Sequence, residues 1–554
     1  MNQPTVAVVG GGITGLATAW ALLQASWDGS SIDNPLSPIA RTSGFALGKL
    51  KVILLEEDRI VGGKLRSLEI AGKRVDAGPD SFLATRPEAV ELCRQVGLSE
   101  DLQPPAANKA YLWARGALRP IPPGLFLGLP SHLSPLARSG ILDPMTLLRA
   151  SLDLVLPRNW GMQQRAAHLT NHLLSLEQGA SGSHNFDRSI GEIVSTRLGK
   201  GVAYNLVEPL VGGIHAGRID NMSAAAILPQ LLQVASEHRS LILGSRRQGR
   251  NRAGKERFGL IKTLSKSSRT DRRESQSPAR QPTKQPMFLG LADTLESLIK
   301  HLTSELTDSG VELRTATPVS SIEPQQDGWE IRCTNSSIRA DAVVLATPAW
   351  VSGDLLKDLA PTASKILREI EYSSISLVTF DLGEQQLPDR LADSSGFLVP
   401  SSPKNLLTAC SFLSNKWKHL VDSSHTLIRA SAGRFGDDRC MQLDDTELAS
   451  VLANELSNAL HLPITPRSAV VTRWPNAFPQ YTVGHLERMQ QVKEDVGQLH
   501  AFTVVGAALG GVGIPACIAQ GREAAKYILE QLAPMSSSSS PSIQGGSTEG
   551  LSSR

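Results

Sequence analysis

The stretch Val6–Trp20, VAVVGGGITGLATAW, decides how this 554-residue chain begins to fold. A short apolar run leads into Gly10, Gly12 and Gly15 at G-x-G-x-x-G spacing, and small residues follow. This is the pattern of a strand, a tight turn and a helix that can receive a pyrophosphate. Gly10 turns the chain, Gly12 lets a phosphate approach the backbone, and Gly15 lets the helix lie against the strand. Gly11, Ile13 and Thr14 complete the turn and open the helix, whose free N–H groups favour an anion. An acid that grips a ribose should follow about 20 residues later. The residues in that interval read SWDGSSIDNPLSPIARTSG and cannot form a strand. The strand comes later, as KVILLEE at Lys51–Glu57, with Glu56 at its end and Glu57 beside it. A Ser/Pro/Gly-rich insertion over about 26–48 accounts for the difference.

Bulk composition sets the remaining bounds. The length predicts two or three domains. With 41% hydrophobic residues, 20% charged residues and a net charge of +3, the chain is not globally a nucleic-acid binder. Charge is concentrated, however: residues 245–285 hold 13 Lys/Arg against 3 acids, which leaves −7 for the rest. That run reads as a solvated insertion, with anionic lipid or a partner as the alternative. Five scattered cysteines without a C-x-x-C pair fit reduced thiols in a cytoplasmic protein. No apolar stretch is long enough for a transmembrane helix, and no His, Cys or carboxylate cluster points to a metal.

The fold class expected is α/β: a split Rossmann-like domain with a β-rich substrate domain and a helical subdomain inserted. Its first part spans 1–86, its second 286–350 and its third 481–534. Between them lie a helical subdomain at 87–206, a segment at 207–244, the basic run at 245–285 and a mainly substrate-binding portion at 351–480. Residues 535–554 form a Ser-rich tail. Near the C-terminus, AFTVVGAALGGVGIPACIAQ repeats the strand, glycine turn and helix. Glu56 favours an unphosphorylated ribose, and two such turns at opposite ends of the chain favour FAD over NAD.

Seven further stretches carry a resemblance: GPDSF, SIGEIVSTRLG, LVEPLVGGIHAGRIDNMS, HRSLILG, LTACSFLSNKW, RWPNAFPQYTVGH and GGVGIPACI. With them the chain resembles the oxygen-dependent porphyrinogen oxidases of haem synthesis, within the amine-oxidase-like flavoproteins, over nearly its whole ordered length. The resemblance implies FAD, a porphyrinogen substrate oxidised by six electrons, O2 as acceptor and hydrogen peroxide as product. It carries the pyrophosphate turn onto Gly10–Gly15, the ribose and adenine side onto Glu56 and Glu57, and the flavin-proximal GGK onto Gly63 and Lys64. It also carries the segment beside the ring onto Gly78, Pro79, Asp80 and Ser81, the adenine-side backbone contact onto Val319, and the ring neighbour onto Trp474. The C-terminal flavin turn falls on Val512, Gly513 and Ile514. The chain departs from the pattern at Ile60, Leu509 and Ala516, and at Ala110, where the eukaryotic protoporphyrinogen oxidases carry a propionate-binding Arg.

On the substrate side, Arg86 is a candidate propionate ligand, or else a solvated surface residue. Ile375 and Phe397 match positions that sandwich the macrocycle, and both also suit a plain core. His215 and Tyr481 read as packed pocket residues, not as acid or base, so no catalytic side chain is assigned. The GVGIP-CI ending and Ala110 resemble the bacterial enzymes that act on coproporphyrinogen III, with protoporphyrinogen IX as the alternative. Another amine-oxidase-like activity and a porphyrin-binding protein without turnover are the further readings. Leu147–Pro157 has an apolar face suited to peripheral membrane contact or to burial. A transient contact with the next enzyme of the haem pathway belongs to the same set of expectations.

Overall fold

The structure is a computed structural model that describes residues 3–27, 50–107, 109–126, 128–157, 187–249 and 286–533. Most of the insertion at 26–48 and of the basic run, and all of 535–554, lie outside the described residues. Ser26 and Trp27 end the helix Ile13–Trp27.

Five short strands form one parallel sheet in the order Glu312–Arg314, Lys51–Leu55, Thr5–Val9, Ala342–Leu345 and Phe502–Val504. Val6 and Val8 face one core while Ala7 and Val9 face another. Burial on both faces explains why the three central strands, Lys51–Leu55, Thr5–Val9 and Ala342–Leu345, read as nearly continuous apolar runs. Helices Ile13–Trp27, Glu296–Asp308 and Ile514–Leu532 cover one face. Helices Ala349–Leu355, Pro361–Arg368 and His485–Val496 and a three-stranded meander cover the other. The dinucleotide domain is therefore assembled from three distant pieces of chain.

The second sheet has seven strands, in the order Ser468–Pro479, Tyr372–Asp381, Leu427–Ala432, Leu407–Phe412, Ser394–Leu398, Lys109–Ala114 and Ala117–Pro120. Two segments differ from the sequence reading. Lys109–Pro120 falls within the stretch read as mainly helical, yet it is a hairpin at this sheet's edge. Its turn residues Arg115 and Gly116 both have positive φ, as a two-residue hairpin turn requires. Residues 351–371, read as substrate domain, supply helices that pack on the dinucleotide sheet. The crossing to the second sheet comes at Tyr372.

Helices Leu133–Ser139, Pro144–Ser151, Ile190–Leu198 and Pro229–Glu237 pack around Leu136, Ile193, Leu206 and Leu231. With them runs a ten-residue π-helix, Ala203–Gly212, which contains Pro209. In the Leu147–Pro157 stretch, Ala150 and Asp153 are buried. Met145, Leu148, Leu152 and Val155 form an exposed apolar stripe. The stretch thus has a buried face and, beside it, a second apolar one. No helix among the described residues is long and apolar enough to cross a membrane. All five cysteines are buried and unbridged.

Candidate functional site: a cleft between two glycine turns

The first glycine turn is built by backbone contacts that leave one place open. A Cβ on Gly15 would stand 1.9 Å from the Gly10 carbonyl oxygen, and one on Gly10 would stand 2.7 Å from that of Ala346. A Cβ on Gly12 would meet nothing within 4 Å. The turn is therefore dense on the strand side and open over Gly12. Glu56 braces it: one carboxylate oxygen accepts from the Gly11 amide at 2.6 Å, the other from the Asp58 amide at 2.8 Å. Glu57 is exposed beside it, and Val319 begins the meander, half-buried.

The second turn sits beside the first. Gly513 caps helix Ile514–Leu532 and follows Val512. The backbone around Thr14 and Thr18 lies within 3 Å of where a Cβ on Gly521 would be. Thr14 also bonds Cys517. These contacts run the two helices in the same direction, so both N-termini, each partly positive, open at the carboxyl edge of the sheet. Gly62 donates to the Gly11 carbonyl at 2.8 Å, which brings the Gly62–Gly63–Lys64 loop to the same place. Lys64 is reachable by solvent yet crowded by protein, and desolvation lowers its pKa from the ordinary value. A cation standing in a concave space has this combination.

Segment Asp76–Ser81 completes this side. A Cβ on Gly78 would stand 2.3 Å from the Lys64 carbonyl oxygen, so the loop lies directly on the Lys64 backbone. Trp474 donates from Nε1 to the Ala77 carbonyl at 2.8 Å. Arg429 donates from Nη1 to the Asp76 and Gly78 carbonyls at 2.7 and 3.0 Å. The Asp80 carboxylate is committed inside the protein: Lys416 Nζ lies 2.8 Å away, Arg429 Nη2 3.4 Å, and Ser81 Oγ donates at 3.0 Å. Burial alone would raise the Asp80 pKa, but the charges of Lys416 and Arg429 outweigh it and hold it well below the carboxylate range. Next to it, burial and then the Asp80 charge push Asp76 up to about 8. The Asp80 side chain thus anchors the loop inside the protein. Arg429 and Lys416 were missed from sequence. The available signal was a lone Arg inside the buried run LIRASA, since a buried charge requires a partner.

On the second sheet, Ile375 pairs with Trp474 across adjacent strands, and Thr379 pairs with Arg429. Ile375, Trp474 and Arg429 thus share the face turned to the Asp76–Ser81 loop. Phe397 does not. It pairs with Cys410, which pairs with Ala430, which pairs with Val378, and all four belong to the core on the opposite face. Phe397 is 2% exposed and its ring lies 6.0 Å from that of Phe412. The expectation that it stacks on a ligand with Ile375 is therefore corrected, because the two side chains point to opposite sides of one sheet.

Arg86 is exposed at the N-cap position of helix Pro87–Gln95, without a side-chain capping bond. His215 is half-buried, and desolvation pulls its imidazole down to about 4, so the ring is neutral. Tyr481 stacks on the buried His485 at 4.1 Å, and its hydroxyl donates to the Ala507 carbonyl of the second glycine turn.

Comparison with known proteins agrees with this architecture. Residues 13–529 match the family described as flavin containing amine oxidoreductase. A coproporphyrinogen III oxidase of Propionibacterium freudenreichii is 32% identical over 94% of this chain and 90% of that protein. The coproporphyrinogen III oxidase of Bacillus subtilis is 28% identical over 95% of this chain and 98% of its own. A crystal structure from Exiguobacterium sp. 255-15, provisionally assigned as a protoporphyrinogen oxidase, superposes with a TM-score of 0.73 at 27% identity. It covers 96% of this chain and 100% of that one.

Proposed function

Since the chain belongs to the flavin-containing amine oxidoreductase family, and is an oxidoreductase of its porphyrinogen oxidase branch, we propose that it oxidises coproporphyrinogen III to coproporphyrin III. Each macrocycle gives up six electrons and six protons to three O2, which become three hydrogen peroxide. The near-full-length likeness to coproporphyrinogen III oxidases carries this reading.

The residues present fit a flavin, and FAD in particular. The vacancy over Gly12 suits a pyrophosphate, and Gly10–Gly15 with Ile13 and Thr14 would hold it by backbone N–H groups. Glu56, Glu57 and Val319 would take the adenosine end. Gly63, Lys64, the backbone of Gly78–Ser81, Trp474 and Val512–Ile514 would surround the ring. When bound, the flavin supplies a two-electron hydride acceptor. The chain's task is then to position a macrocycle and exclude water. Trp474, fixed through Ala77, and Ile375 beside it form an apolar wall for this purpose. The neutral His215 and the buried Tyr481 give that wall no charge to solvate. No side chain is assigned as acid or base.

Anaerobic addition of coproporphyrinogen III is expected to bleach the flavin absorbance, and air to restore it with three hydrogen peroxide per porphyrin formed. Absence of bleaching with this substrate would overturn the proposal. A higher kcat/KM for protoporphyrinogen IX would move the substrate assignment while keeping the oxidase.

Arg86 is offered as a propionate ligand on the same reading. Arg86→Ala is expected to raise KM for coproporphyrinogen III by a factor equivalent to about 1.5–3 kcal/mol, with flavin content unchanged. The kcat should change less than kcat/KM, because a remote carboxylate is held alike before and during hydride transfer. Unchanged kinetics would place Arg86 among the solvated surface residues.

A further inference from the structure

We propose that Arg434 binds a peripheral carboxylate of the macrocyclic substrate, an inference that rests on the porphyrinogen oxidase reading above. The position follows from backbone contacts. A Cβ on Gly433 would stand 2.5 Å from the Ser374 carbonyl oxygen and 3.0 Å from Ile375 Cα, so Arg434 leaves its strand directly beside Ile375. The Phe435 amide donates to the Ala216 carbonyl at 2.7 Å, which ties this turn to the His215–Gly217 corner of the helical subdomain. Gln480 closes the junction, donating to Ser373 Oγ at 3.1 Å and to the His215 carbonyl at 3.2 Å. Arg434 therefore stands where the substrate face of the large sheet, the helical subdomain and the approach to the second glycine turn meet.

Its guanidinium lacks a committed anion. The side chain is half-buried, and Nη2 is buried without a hydrogen-bond partner among the described residues. The carboxylates whose charge it feels are Glu208 and Asp437. Asp437 is bound by Arg439 through two hydrogen bonds of 2.7 Å. Glu208 is buried on the π-helix, and desolvation raises its pKa to about 7 against the opposing charge of Arg434, so it is only partly ionised near neutrality. Asp220, the other acid acting on Glu208, accepts from the Tyr204 hydroxyl at 2.7 Å. The rest of the half-buried guanidinium is reachable from solvent and has no anion paired with it among the described residues, and a carboxylate is the acceptor that a guanidinium matches best. The substrate proposed carries four propionates. On the large sheet, the exposed Lys109 is already paired with Asp393 at 3.0 Å. Arg434 supplies a cation from the turn that follows strand Leu427–Ala432 of the same sheet.

The test compares coproporphyrinogen III with its tetramethyl ester, which keeps the macrocycle and lacks the charges, in Arg434→Met and Arg434→Lys holoenzymes of measured flavin content. Arg434→Met is expected to raise KM for the acid tenfold or more, to leave kcat within about threefold, and to leave KM for the ester unchanged. Arg434→Lys should recover part of the loss for the acid, since it keeps the charge and loses the fork. An equal loss for acid and ester, or an unchanged KM for the acid, would overturn the inference. If Arg434→Met does not fold, Arg434→Gln takes its place, and an unchanged KM for the acid, or an equal loss for acid and ester, overturns the inference as well. Failure of the wild-type protein to oxidise any porphyrinogen would instead remove the proposed function, so the two failures are separable.

Discussion

Gly15→Ala is expected to give no correctly folded protein, whereas Gly12→Asp is expected to fold and to lack flavin. The contrast comes from what each new Cβ would meet. At Gly15 it would stand 1.9 Å from the Gly10 carbonyl oxygen, a backbone atom of the turn itself, which cannot yield without opening the turn. That strand is the centre of the parallel sheet, so the damage reaches the core. At Gly12 the Cβ meets nothing, and the fold has no reason to object. The added carboxylate would occupy the space left for a pyrophosphate and repel it. Circular dichroism and flavin absorbance on the two purified variants check this directly. Normal flavin content in Gly12→Asp would refute the assignment of the first turn.

Asp80→Asn is expected to cost about 3–5 kcal/mol, because it leaves Lys416 and Arg429 buried without their shared anion. Relief at Asp76, whose ionisation the Asp80 charge opposes, places the result nearer the lower end. Flavin content should fall too, since Arg429 also holds the carbonyls of Asp76 and Gly78. The pH dependence has a definite sign. The Asp80 pKa is lower folded than unfolded, so its contribution is present above the unfolded value of about 4. It is lost as pH falls through the folded value. The difference between wild type and Asp80→Asn in urea midpoint should therefore be full at pH 6 and shrink below about pH 4. An equal midpoint at pH 6 would show that the buried cluster contributes nothing.

Much of the dinucleotide domain was legible because its signals are local. Val6–Gly15 contains the strand, the turn and the helix start within ten residues, and KVILLEE announces the next strand even after an insertion. The same holds for the C-terminal turn. The site needed more. Arg429 lies more than 340 residues from the loop it anchors, and nothing in the local sequence links the two. Arg434 follows a glycine whose importance is its approach to Ser374 and Ile375, a contact between strands distant in sequence.

By itself, the sequence determined the glycine turns, the first two strands, the split order of the domain and the family likeness, since each rests on short-range spacing or on composition. Only the tertiary structure decided that Lys109–Pro120 joins the large sheet, that Asp80 is an internal anchor, and that Phe397 belongs to the core while Ile375 faces the cleft. The physical reason is the two-residue period of a strand. It shows that side chains alternate between two faces, but which face meets the cleft is set by register with distant strands and by the bodies packed on either side.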